Sequence, residues 1–131
     1  MVGETNLGKL LASMSPELLP DEYVFCTVPG EYGDYLQLSP LACFRETEGL
    51  TLVVTKSAAI AGQMPFESVF KAITLTIHSS LDAVGLTAAV STKLAENGIS
   101  ANVIAAYYHD HIFVQAQKAE LALNALSEFG R

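Results

Sequence analysis

The chain has 131 residues and a mass of 14.0 kDa, enough for one compact unit or two very small ones. Half of it is hydrophobic, which excludes general disorder. Fourteen acidic residues against seven basic ones give a formal net charge of -7, which disfavours a nucleic-acid surface, since that needs a basic patch.

The apolar runs are too short to span a bilayer. A single Lys9 ahead of a very short apolar stretch makes no signal peptide. Cys26 and Cys43 are isolated thiols without C-x-x-C spacing, so both are expected to be reduced and structural. A soluble, cytoplasmic protein is the expectation.

In chain order, residues 1–5 read as a frayed end. Asn6 is placed to cap a short helix over Leu7–Met14, with Leu7, Leu10, Leu11 and Met14 on one side. Pro16 ends it, and Ser15–Asp21, with two prolines, reads as a connector. Glu22–Val28 is a first strand, closed by Pro29-Gly30. Glu31–Pro40, with Tyr32 and Tyr35 among acids and small residues, reads as an irregular loop. Ala42–Glu46 and Leu50–Thr55 form a hairpin across Thr47-Glu48-Gly49. Lys56–Gly62 is Ala-rich and predicts a helix of one or two turns, and residues 63–67 link it to the next strand.

The organising stretch is Phe70–Val114. Ile73, Leu75 and Ile77 alternate with Thr74, Thr76 and His78, the period of a strand with one buried face. Ser79, Ser80 and Asp82 offer oxygens that suit a helix start. Leu86, Val90 and Leu94 come next at helical spacing, and Asn97-Gly98 stops the helix. Ile99–Tyr108 and Ile112–Gln117 are further strands, with His109-Asp110-His111 as the turn between them. The C-terminal helix carries Ala119, Ala122, Leu123, Leu126 and Phe129 on one side and closes at Gly130.

The second half therefore reads β-α-β-β-α, most of an α+β, ferredoxin-like α/β sandwich. The first half reads strand, loop, hairpin, short helix, a repeat of element order whose crossover helix is lost or shrunk. A unit of about 50 residues makes a poor independent domain, so the halves, 1–69 and 70–131, are expected to share a sheet or a core.

Two readings stand for Asp82-Ala83-Val84-Gly85-Leu86, at the strand-to-helix junction. In one it is a ligand cradle: N–H groups at a helix start are unsatisfied, the dipole there is positive, and Gly85 admits close approach, which suits a carboxylate. In the other, Asp82 caps the helix and Gly85 serves packing. His109, Asp110 and His111 are ligand types for zinc or nickel, but no third ligand is evident unless His78 comes from another strand. A hydrogen-bonded turn is the simpler account. Ser80, His109 and Asp110 could compose a triad, yet no G-x-S-x-G elbow exists. Tyr107 and Tyr108, if extended, point to opposite faces, one into the core. No phosphate loop or dinucleotide glycine pattern occurs. No catalytic residue, metal or cofactor is expected.

LDAVGL at the first turn followed by AENGISANVIAAYYHDHIFV resembles the ACT domain family of small-molecule-binding regulatory modules. Within it, the chain is similar to small stand-alone bacterial proteins of uncharacterised role, in which a reduced N-terminal unit precedes a complete one. The resemblance covers roughly Phe70–Phe129 by motif, and the first half by element order and by LLPDEYVFCTVP. It implies ferredoxin-like units that pair side by side and bind amino acids at the interface between units. It also implies a site formed by Ser79, Ser80, Asp82, Val84, Gly85 and Leu86, with Asn102 from the facing strand of a neighbouring unit. The implied function is non-enzymatic: a small-molecule partner, an amino acid by expectation, and a homo-oligomer, a dimer by preference. The alternative is a structural protein that self-associates through its sheets without a ligand.

Overall fold

The computed structural model describes residues 7–76 and 85–130. It divides into two compact units: residues 1–20 with 71–131, and residues 21–70. Strand β1 (Pro16–Val28) runs through both, with its first five residues in the former and the rest in the latter.

The larger unit contains α1 (Leu7–Ser13), β4 (Phe70–Leu75), α3 (Leu86–Glu96), β5 (Asn102–Ala105), β6 (Asp110–Gln115) and α4 (Ala119–Ser127). The other contains β2 (Ala42–Glu46), β3 (Gly49–Thr55) and α2 (Lys56–Ala61). From β4 onward the order is β-α-β-β-α, as expected of a ferredoxin-like sandwich. The strands of the larger unit stand side by side as β1-β4-β6-β5, and those of the smaller as β2-β3-β1.

The core of the larger unit results from the two sequence periods. Ile73 and Leu75 of β4 and Ile112 and Val114 of β6 present one face of the sheet. Leu86, Val90 and Leu94 of α3 close over it with Ala122, Ala125 and Leu126 of α4, all buried. The end of α3 locks into this core. Gly98 N–H donates to Ala95 O and Ile99 N–H to Leu94 O, each at 3.0 Å, and Leu94 and Ile99 are both buried. The smaller unit has its own core: Val24 and Cys26 of β1, Leu50, Leu52 and Val54 of β3, and Ala59 of α2. Thr55 caps α2 by accepting from Ala58 N–H at 3.1 Å.

Several expectations change. Residues 16–20 are the start of β1 and not a connector. Prolines are tolerated there because the β3 ladder begins only at Tyr23↔Thr55, so at Pro20 no donor to β3 is required. The segment read as an irregular loop holds a 3-10 helix, Tyr32–Leu38. Glu31 and Asp34 form a reciprocal capping box, and Tyr35 and Leu38 reach the core. The strand expected over Ile99–Tyr108 is only Asn102–Ala105, because Ile99 is taken by the end of α3 and the chain turns at Ala106. Cys26 is buried, but Cys43 is exposed and supports no core.

Replacing Leu94, which α3 drives into the centre of the larger core, is expected to cost about 2–5 kcal/mol as Leu94→Ala. Leu121→Ala, on the exposed side of α4, should stay within about 0.5 kcal/mol. Urea unfolding of the two variants checks the contrast.

Candidate functional site

Of the residues expected to line the turn ahead of α3, Ser79, Ser80, Asp82 and Val84 lie outside the described residues, as does His78. Gly85 is the residue on which α3 opens. Its backbone is left-handed, φ +92°, and glycine brings no side chain of its own to cap the helix. Only glycine takes this conformation without steric cost. Leu86 begins the helix and turns into the core. The space against Gly85 is taken by α1: a β-carbon at this position would lie 3.2 Å from Cδ2 of Leu7. Leu7 and Leu11 are partly buried along the edge of the larger core. No sequence signal pairs Leu7 with Gly85, since the contact joins residues distant along the chain.

Asn102 lies at the start of β5, opposite Phe113 of β6. Its carboxamide donates to Phe113 O at 3.3 Å, so one of its two donors is held within its own hairpin.

The smaller unit repeats the glycine step. β1 ends at Val28, and Gly30 comes next but one with φ +95°, just before the 3-10 helix. Here the space is filled by a carboxylate. Asp34 Oδ2 accepts from Glu31 N–H at 3.0 Å and would stand 2.8 Å from a β-carbon on Gly30. A glycine closely after a strand is the signal for this step, and it is visible in the Val28-Pro29-Gly30 run.

The histidine cluster is not a turn as expected. Ala105 pairs with Asp110 and Ile104 with His111, so Asp110 and His111 belong to β6 and the reversal spans Ala106–His109. Tyr107 and Tyr108 occupy the tip. Both are exposed, at 75% and 65%, with ring centroids 5.0 Å apart in an edge-to-face pair, so neither enters the core. His111 Nδ1 lies 3.0 Å from the Thr74 hydroxyl of β4. Burial lowers the pKa of His111, with help from nearby His109 and against Asp110; burial raises that of Asp110, against both histidines. Among the described residues, no group of three His, Cys, Asp or Glu side chains is placed to hold a metal ion.

Two outcomes are expected from this geometry. Because folding favours neutral His111, its contribution is complete above the ordinary histidine value of about 6.5 and is lost as pH falls through the lowered value. The melting temperature should therefore drop between pH 7.5 and pH 5.5 by more in the parent than in His111→Gln. Equal drops would refute the assignment. Separately, Gly85→Ala should destabilise by about 1–2 kcal/mol through its backbone, plus a part due to Leu7. In the Leu7→Ala background that second part should vanish, and a double-mutant cycle reads the coupling.

Comparison with known proteins agrees with this architecture. A family model described as the ACT domain matches residues 2–71, and a second, also described as the ACT domain, matches residues 67–128. Among curated proteins, none matches the sequence. Among solved structures, a protein of unknown function from Vibrio cholerae, described as a possible transport protein, superposes with a TM-score of 0.89. It is 61% identical, over 95% of this chain and 96% of that one. A protein from Agrobacterium tumefaciens superposes at TM-score 0.69 and 16% identity, over 89% of each chain. The ligand-free regulatory subunit of aspartate kinase from Thermus thermophilus shares the fold at TM-score 0.61 and 11% identity, over 92% of this chain and 99% of that one. The β-α-β-β-α order and the family matches over both halves lead to one conclusion: the chain belongs to the ACT domain family.

Proposed function

We propose that this chain is a non-enzymatic regulatory module that binds a small molecule, an amino acid, at the turn opening α3. Gly85 and Leu86 form the described part of that turn; Ser79, Ser80, Asp82 and Val84 would complete it, with Asn102 from a neighbouring copy. We take the functional halves to be a reduced unit, 1–69, and a complete one, 70–131, and the working form to be a cytoplasmic homodimer. The observation that carries the reading is the left-handed glycine at the head of an eleven-residue helix. It leaves backbone donors and the positive end of the helix dipole at a place where no β-carbon shields them. An α-carboxylate is the natural guest for such donors. The shared fold of aspartate kinase regulatory subunits gives the idea of a regulatory role. The negative charge of the chain suits a zwitterion or a cation better than a polyanion.

A second reading has its own support. Leu7 already lies against Gly85, and the exposed Tyr107–Tyr108 pair suits a contact surface. In that reading the protein self-associates and binds no ligand.

Thermal shift against the twenty amino acids at millimolar concentration separates the two. A specific ligand raises the melting temperature by mass action, by about 2.7 kcal/mol of stability at a hundredfold excess over its Kd. The shift should be lost in Gly85→Val. Sedimentation of the pure protein should give a dimer. A flat response across all twenty with an intact dimer supports the second reading instead.

A further inference from the structure

The two units differ in charge. Residues 21–70 hold seven acidic residues against two basic ones, a balance of -5, which leaves -2 for the rest of the chain. Both cations of the smaller unit are already paired within it: Arg45 Nη2 lies 3.9 Å from Glu31 Oε2, and Lys56 Nζ lies 3.7 Å from Glu22 Oε1. Such exposed pairs add little stability. The surplus of carboxylates is uncompensated from within the unit.

At β2 this charge meets an open strand edge. β2 pairs with β3 on one side and is the last strand of its sheet on the other, so one row of its N–H and C=O groups has no strand beside it. Cys43, Phe44, Arg45 and Glu46 are all exposed, so neither face of the strand is covered there. Edges that must stay unpaired are commonly guarded by proline or lysine. β2 has neither and presents Phe44 at 70% exposure instead. Phe44 stands opposite Thr51 and Glu46 opposite Gly49, so both lie on the face away from the core of Leu50, Leu52 and Val54. Glu46 accepts from the Thr51 hydroxyl. Glu48 follows in the turn to β3, and Glu31 borders the strand through Arg45.

We propose that the outer edge of β2 docks an extended, basic segment of a partner protein, which joins the sheet as an additional strand. Main-chain bonds to the open edge supply affinity, and alternate side chains supply selection. Run antiparallel to β2, the incoming strand sets an apolar residue beside Phe44. Two positions away on the same face it sets a lysine or arginine beside Glu46, and a further cation beyond that meets Glu48. A second copy of this chain is the poorer occupant, because it brings another balance of -5 against the first. Docking here needs no ligand at the turn opening α3.

Fluorescence anisotropy on the full chain, kept reduced so that Cys43 stays a free thiol, tests the site with two labelled peptides. Lys-Thr-Lys-Thr-Val-Thr-Val should bind about tenfold more tightly than Glu-Thr-Glu-Thr-Val-Thr-Val, and its affinity should fall as salt rises. In hydrogen exchange the lysine peptide should protect amides of β2 and leave those of β5 unchanged. Glu46→Lys combined with Glu48→Lys should reverse the preference, and Phe44→Ser should weaken both peptides. Urea unfolding checks that these variants stay folded; where one does not, the contrast between the peptides on the unmodified chain decides alone. The proposal is overturned if neither peptide binds at millimolar concentration, if the two bind alike, or if the protection falls outside β2. It is also overturned if sedimentation shows a dimer that Phe44→Ser dissociates, since a second copy then holds the edge.

Discussion

Two helical segments of this chain open after a glycine with left-handed backbone, the 3-10 helix after Gly30 at φ +95° and α3 after Gly85 at φ +92°. For a residue with a β-carbon that geometry costs about 1–2 kcal/mol. The step sets the direction in which the crossover departs. It therefore decides whether Leu86, Val90 and Leu94 meet Ile73, Leu75, Ile112 and Val114. The same conformation leaves each of these positions without a β-carbon, so another residue can come close.

What fills the bare space differs between the two. At Gly30 it is Asp34, whose carboxylate takes the Glu31 N–H and completes a capping box on a seven-residue 3-10 helix. That turn satisfies itself, in a manner a bound carboxylate would imitate. At Gly85 it is a leucine from α1, which can exclude water but cannot accept a hydrogen bond from the helix start. The two glycines, alike in φ, therefore differ in the chemistry of what lies against them.

The larger unit was legible because its pattern is redundant. The period of two in β4, the helical spacing of α3 and α4, and the Asn97-Gly98 stop each point to the same face. Boundaries failed where local preference and tertiary demand diverged. Tyr107 and Tyr108 favour strands by propensity, yet they sit at a hairpin tip because pairing of Ala105 with Asp110 fixes the reversal between them. Pro16 and Pro20 read as breakers, yet β1 includes them because the β3 ladder starts later. The 3-10 helix lacks an aliphatic stripe and is held by its cap, a signal too short for periodicity to detect. Of the site, Gly85 was legible and Leu7 was not, since a contact between residues so far apart leaves no local trace.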